Sequence, residues 1–430
     1  MKFIKSFTLS VILLFIPIFL FAEMQIDIDV SAKGKKKIPV YIVKFNIKND
    51  NEDLKKLNNK IFNIIINDLN FSDNFKIFKN NKSSFLDFTL PNTLIKLFKN
   101  AEYVVQGETG YMLNDQIYVK LKIYDLFLKQ YKLYKNFYGS KIYYRRIAHK
   151  ISNNILKRLT DETSVFEDKI LYVTNATGIK QIAISDYDGG GEHFLTSYKT
   201  INISPKLYGN ILYFTSFRSG NPKIFIKNLK TGGVKTLISK GNFSAGADLS
   251  PNGDKIVAMF ENGGDADIGI FNIKGKLLTK VTDNIFNESS PVWSHNGKYI
   301  AFVSNRSGTP QIYTYNINSK KINRLTFTSN YSSYPSWGFN DEYIYFSSKI
   351  NGFFQICRVS TSLMHYEQLT FDRANHEFPT VSKNGKYLLY SKSKGNNRQL
   401  FIKSIETGKI FRVTHDNFDY SYPAWYYGDY

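Results

Sequence analysis

Six histidines, one cysteine and a thin scatter of carboxylates are the groups in this 430-residue chain that could carry acid–base, nucleophilic or metal chemistry. His149, His193, His295, His365, His376 and His415 share no metal-ligand spacing with one another or with Cys357. A lone cysteine also excludes an internal disulfide framework and any multi-cysteine zinc site. No G-x-S-x-G elbow is present, so a serine hydrolase would lack its nucleophile. Gly189-Gly190-Gly191 follows Asp188 with no P-loop lysine after it, which reads as a strand connection and not a phosphate cradle. Glu261, Asp265 and Asp267 surround Gly263-Gly264 and offer oxygens of the kind calcium takes. Without a full ligand loop they read as a solvated hairpin. The residues point to a non-enzymatic chain with no metal and no cofactor.

Charge narrows the partners. Lys and Arg number 57 against 36 Asp and Glu, a net charge of +21. The excess is spread along the chain and forms no dense block. Nucleic-acid binding would want a basic stripe or a reading motif, and neither is present, so a generally basic solvated surface is expected.

The chemistry-poor residues sit in a tandem array. The three tryptophans, Trp293, Trp337 and Trp425, are 44 and 88 residues apart. Pro291, Pro335, Pro379 and Pro423 keep the 44-residue step, as do Thr282, Thr326, Thr370 and Thr414. One unit runs from Pro291-Val292-Trp293-Ser294 through Asn296-Gly297, Tyr299 to Phe302, Ser307-Gly308 and Gln311 to Tyr315, ending at Ile322 to Thr326. These are four short apolar or β-branched runs separated by turn signals, the size of a propeller blade. The runs are too short for helical repeats. A solenoid or a row of small β domains would leave sheet edges open. First-strand anchors stand at Pro205, Ala247, Pro291, Pro335, Pro379 and Pro423. The last unit stops after one strand. Its missing three match Ile170 to Val173, Gln181 to Ile184 and His193 to Thr196, so the final strand should complete the first blade and close a ring of six. Cys357 occupies the slot of Phe225, Tyr313 and Phe401 and reads as a packed strand residue. The tryptophans likewise read as core between blades.

What varies between units is the stretch just before each anchor: Asn202-Ile203-Ser204, Ser244-Ala245-Gly246, Glu288-Ser289-Ser290, Ser332-Ser333-Tyr334, His376-Glu377-Phe378 and Tyr420-Ser421-Tyr422. In a propeller these loops ring one mouth of the central channel. Their polar and aromatic make-up suits a protein–protein surface, against the alternative of ordinary polar loops.

Residues ahead of the array differ in character. Met1 to Lys5 is a short basic start, Phe7 to Phe21 an apolar run shorter than a membrane span, and Ala22 a small residue. This is the layout of a secretory signal cleaved after Ala22, with an uncleaved anchor as the alternative. The mature chain should start at Glu23, be exported, and hold no transmembrane segment. Residues 23–164 should form a small α+β domain. Strands are expected at 38–43, 75–78, 103–107, 116–124 and 130–138, and helices at 52–70, 91–99 and 141–160. The six-bladed β-propeller should occupy 165–430.

An export signal, a small α+β domain and six blades with this anchor resemble the TolB family, periplasmic proteins of the Tol-Pal envelope system. The resemblance rests on Pro291-Val292-Trp293-Ser294, Asn296-Gly297-Lys298, Ser304-Asn305-Arg306-Ser307-Gly308 and Gln311-Ile312-Tyr313, with similar forms around Pro335 and Pro379. It implies a periplasmic adaptor, whose propeller mouth binds the peptidoglycan-associated lipoprotein Pal. By position that mouth would include Phe243, Gly246, Ser289 and Ser290, with His376 and Glu377 beside them. Phe243 departs from the family's usual polar residue there. The resemblance also implies that the mature N-terminal segment, Glu23 to Asp29 with Ile26, Asp27 and Ile28, engages the inner-membrane protein TolA. Its alternation suits strand addition to a partner, and equally an edge strand docked in its own domain. Related propellers occur in peptidases and sugar lyases, so an exported propeller enzyme acting on peptides or glycans is the rival reading.

Overall fold

The structure is a computed structural model that describes residues 36–48, 51–80, 98, 100–393, 395 and 397–427. The expected signal, the mature N-terminal segment and nearly all of the helix expected at 91–99 lie outside these residues.

The first described region is one sheet with two helices. Its strands are β1 (Ile38–Val43), β2 (Asn46–Ile47), β3 (Phe75–Asn80), β4 (Tyr103–Tyr111), β5 (Gln116–Asp125) and β6 (Gln130–Ser140). They lie in the order β3-β1-β4-β5-β6, with β2 beside β4. Helix α1 (Glu52–Phe71) starts where the Asn51 side chain accepts the Leu54 N–H at 3.0 Å, an N-cap. Helix α2 (Tyr144–Thr160) follows a single 3-10 turn at Lys141–Tyr143. The helical repeat puts Ile61, Ile65 and Leu69 of α1 and Ile147, Ile151 and Ile155 of α2 in the same core as Ile117, Val119, Leu121 and Ile123 of β5. Every second residue of a strand shares a face, so β5 gives its odd positions to the helices. Each such aliphatic side chain contributes roughly 1.5–3 kcal/mol when fully buried. Strand β4 runs four residues beyond the expected end at Gly107. A Cβ there would lie 2.6 Å from the Phe45 ring, so this glycine makes room for a packed aromatic and does not mark a turn.

Six four-stranded antiparallel sheets follow, as the repeat implies. Blade 1 combines Lys169–Thr174, Gln181–Asp186 and His193–Phe194 with the closing strand Tyr420–Tyr426. Blades 2 to 6 span 202–238, 244–280, 288–324, 332–368 and 375–412. In the closing pair Trp425 stands opposite Ile170 and Ala424 opposite Leu171, while the Tyr420 and Tyr172 rings lie 5.4 Å apart. The threonine period has a physical cause. The hydroxyls of Thr282, Thr326, Thr370 and Thr414 accept the N–H of Ile268, Ile312, Ile356 and Leu400 at 2.8–2.9 Å. Each donates in turn to Asp267, Gln311, Gln355 or Gln399, which fastens the outer edge of its blade.

The α+β region packs on one end of the propeller through a shared core. Phe71 of α1 meets Tyr187, Tyr387 and Phe411 of the blades at centroid distances of 4.8, 4.8 and 4.3 Å. Beside these rings lies a buried ion cluster. Asp68 accepts from His149 Nδ1 at 2.9 Å and from the Tyr187 hydroxyl at 2.7 Å. Arg145 donates to Asp186 at 2.5 Å and to Asp188 at 2.6 Å, and Lys169 reaches Asp186 at 2.5 Å. The Arg145 guanidinium lies across Gly190, where any Cβ would come within 2.2 Å of it. The central residue of the glycine triplet is thus required by an ion pair.

Three carboxylates face Arg145, Lys169 and His149, so charge balance requires the imidazolium. Burial opposes protonation of His149, but Asp186 and Asp68 outweigh it and raise the pKa to about 9. A pKa raised on folding contributes stability that is complete below the unfolded value near 6.5 and is lost as pH rises through about 9. Urea unfolding of the native chain against His149→Gln should show a stability gap on the order of 2–3 kcal/mol at pH 6 that shrinks by pH 10. A gap independent of pH would contradict a charged His149.

Ring closure gives a second expectation. Trp425 is buried among residues of blades 6 and 1, including Leu389, Leu400 and Ile170. Trp425→Ala should destabilise by about 3–5 kcal/mol in the same assay. A loss below about 1 kcal/mol would mean that the closing strand adds little.

Candidate protein-docking face of the propeller

Each blade's innermost strand breaks register just before its anchor. The shifts fall between Ile203 and Lys206, Ala245 and Asp248, Ser289 and Val292, Ser333 and Ser336, Glu377 and Thr380, and Ser421 and Ala424. The residue in each bulge has positive φ: Ser204 (53°), Gly246 (65°), Ser290 (52°), Tyr334 (52°), Phe378 (57°) and Tyr422 (50°). A β-bulge bends its strand and re-aims the side chains around it. Six of them, one per blade, form a ring at the inner strands.

The end of the propeller where these strands begin also carries the turns between second and third strands. Ser244 N–H bonds the Pro222 carbonyl at 2.9 Å, and Ser332 N–H that of Pro310 at 2.8 Å. The α+β region packs at the opposite end, where Lys386 meets Glu162 at 2.7 Å and Lys409 reaches the Asn70 carbonyl at 3.0 Å.

The expected mouth residues occupy different depths of this face. Gly246 and Ser290 are two of the six ring positions, and the Gly246 N–H bonds Thr215 Oγ1 at 3.1 Å. Ser289 and Phe243 are half-buried. Glu377 bonds Arg398 at 3.3 Å. His376 is 2 % exposed, and its Nε2 lies 2.7 Å from an Asp372 oxygen without the alignment of a hydrogen bond. Burial pushes its pKa down to about 4, with Asp372 opposing, so the ring is neutral at pH 7. The N-terminal residues Glu23, Ile26, Asp27, Ile28 and Asp29 lie outside the described residues.

A more exposed layer surrounds these residues. Ile285 is 79 % exposed, Phe371 74 % and Phe327 61 %, and Ile201, Phe286, Tyr331 and Phe418 also project from the connections leading into inner strands. Apolar residues gathered on one face are a feature that interaction surfaces share. Sequence reading passed over them because it fixed on the three residues before each anchor. The available signal was position, since Phe327 and Phe371 directly follow the repeated threonines.

The remaining chemical groups are engaged. Glu261 accepts the N–H of Asn242 at 2.9 Å and of Gly264 at 2.8 Å, and Asp267 accepts from Thr282 and Asn262, so these acids serve the hairpin. Cys357 is buried against Tyr366, and burial pushes its thiol up to about 12. Among the described residues one group, His149, Asp186 and Asp188, is compact enough for a metal, but Arg145 and Lys169 already hold its carboxylates. No helix among the described residues is long and apolar enough to cross a membrane.

Family models match this arrangement twice. The TolB amino-terminal domain matches residues 26–131 and the TolB beta propeller domain residues 156–427. The chain belongs to the TolB family. The Tol-Pal system protein TolB of Rickettsia prowazekii is 28% identical over 237 residues, 53% of each chain. The protein of that name from Desulfosudis oleivorans is 25% identical over 288 residues, 65% of each. The chain therefore spans about half to two thirds of the length of these curated relatives. The crystal structure of TolB from Acinetobacter baumannii superposes with a TM-score of 0.76 at 22% identity, covering 91% of this chain and 97% of that one. It shows that the fold of this TolB-family member is shared along nearly its whole length.

One buried ion pair underlies the docking face. Glu288, fully buried, accepts from Ser304 Oγ at 2.8 Å and from Arg306 Nη2 at 3.1 Å, while Arg306 lies over the Tyr313 ring at 5.1 Å. Burial raises the Glu288 pKa against the opposing pull of Ser304, Thr282 and Arg306. Arg306→Ala leaves the carboxylate buried without its cation and should cost about 2–4 kcal/mol at pH 7. The deficit should narrow as pH falls towards 5, because the variant's Glu288 takes up a proton. A pH-independent deficit would assign the loss to packing alone.

Proposed function

We propose that this chain is a non-enzymatic periplasmic adaptor of a Tol-Pal envelope system. The exposed apolar crown, carried on the propeller face turned away from the α+β region, is the observation that supports this reading. In it, the propeller mouth holds a Pal-type lipoprotein. Phe243, Gly246, Ser289, Ser290, His376 and Glu377 form or brace the inner part of the site, and Ile285, Phe327 and Phe371 form its rim. Residues 1–22 are a signal cleaved after Ala22, residues 23–164 an α+β domain, and residues 165–430 the propeller. The segment from Glu23 to Asp29 engages a TolA-type inner-membrane protein, its alternating pattern suiting strand addition to a sheet edge.

Such an adaptor would link two envelope layers and support outer-membrane integrity and constriction during division. Coupling between its two sites would be set by how differently each partner binds the two states of the chain. A carboxylate forced into an apolar contact is left desolvated without a partner, whereas isolated exposed positions contribute little to folding. Phe371→Asp and Ile285→Asp should each weaken binding of the soluble domain of the host's Pal-type lipoprotein by about tenfold or more, with melting temperature unchanged. Undiminished binding by both variants, or hydrolytic or lyase activity on peptides or glycans with no lipoprotein bound, would overturn the reading.

A further inference from the structure

The ring of six left-handed positions is divided in two. Blades 2, 3 and 4 supply Ser204, Gly246 and Ser290, whereas blades 5, 6 and 1 supply Tyr334, Phe378 and Tyr422. The three aromatic rings are in mutual contact. Centroid distances are 4.2 Å for Tyr334–Phe378, 4.3 Å for Phe378–Tyr422 and 6.2 Å for Tyr334–Tyr422. Blades 5 and 1 are not neighbours, so a Tyr334–Tyr422 contact has to be made over the channel and not inside an interface between adjacent blades.

Bulky residues rarely adopt positive φ, and each one strains the backbone. Aromatic pairing offsets part of that strain. Serine and glycine fill the same bulge in the other three blades, so the fold does not need aromatic residues there. On the small side there is room at Gly246: a Cβ placed there would meet only Pro291 Cδ within 4 Å, at 3.9 Å. One half of the ring is walled by tilted and edge-on aromatic rings, and the other carries only serine and glycine.

We infer that the serine and glycine half, bounded by Ser204, Gly246 and Ser290, is a slot for one apolar side chain projecting from a loop of the protein partner. That side chain packs against the Tyr334, Phe378 and Tyr422 rings. The inference deepens the docking reading and rests on it. An apolar occupant fits best for two reasons. The slot continues inward from the apolar crown, and the nearby Glu377 carboxylate is already paired with Arg398, leaving it poorly placed to receive a cation. A slot on one side of the channel also fixes the rotational setting of the partner, which a six-fold ring of equal residues could not do.

The chain supplies its own control, because Tyr334 and Tyr422 show that this backbone carries tyrosine at φ 52° and 50°, and Ser290 sits at 52°. Ser290→Tyr should therefore fold and fill the slot. Titration of the soluble domain of the Pal-type lipoprotein from the same host into the mature full chain, followed by calorimetry, reads the effect. We expect Ser290→Tyr to lower affinity at least about tenfold while still melting in one cooperative transition, at a temperature lowered by the backbone strain, and Ser290→Ala to stay within about twofold of the native chain in affinity. If Ser290→Tyr folds poorly, Ser204→Tyr makes the same test from the other side of the slot. Native-like binding by the tyrosine variants, with Phe371→Asp losing binding, overturns the slot and leaves the docking face standing. No binding by the native chain overturns the docking reading and the slot with it.

Discussion

Antiparallel hydrogen bonding between Tyr420–Tyr426 and Lys169–Thr174 is the interaction on which the propeller depends. A row of four-stranded sheets has two ends, and each presents an inner face with nothing to pack on. Sewing the last strand into the first sheet removes both ends at once. The inner strands are then held in a closed circle, and six bulges that would be scattered kinks in an open array become a single ring. The mouth face inherits its geometry from that closure.

The second constraint acts at the other end of the propeller. Apolar rings around Phe71 and the ions around Asp68 and Asp186 occupy the same seam. Rings tolerate small sliding, whereas buried charges do not, because a displaced charge is left unpaired in a low-dielectric setting. The pairing of Arg145 with Asp186 and Asp188 therefore fixes α2 on blade 1, and the close passage over Gly190 leaves little room for adjustment. The mouth face is separated from this seam by the height of the blades.

Much of this was legible in the amino-acid order. A step of 44 residues in tryptophan, proline and threonine fixes the blade size. The missing three strands of the last unit fix the closure, and helical spacing fixes α1 and α2. Signals that misled were those where one residue serves two purposes. Gly107 looks like a strand end but accommodates Phe45, while Gly190 lies in the strand connection expected for it and also makes room for Arg145. Lys141–Tyr143 reads as helix yet forms a 3-10 turn before α2. The ion cluster was invisible because its members, from Asp68 to Asp188, are brought together only by tertiary packing. The crown was overlooked because an exposed phenylalanine in a loop has no periodic partner to betray its role, except where a repeat places it. His376 looked like a surface group from its neighbours Glu377 and Phe378. Its true setting depends on which way a bulged strand turns, which no local pattern encodes.

All three tryptophans lie on inner strands of blades 4, 5 and 1, and the α+β region contains none. Trp293 and Trp337 pack in cores made by blades alone, whereas Trp425 belongs to the core that the α+β region shares with the propeller. Melting of the α+β region would reach indole emission through Trp425 and leave Trp293 and Trp337 in place, while appearing in far-ultraviolet dichroism through α1 and α2. A mismatch between the two optical traces would register loosening of one part ahead of the other, with no label attached.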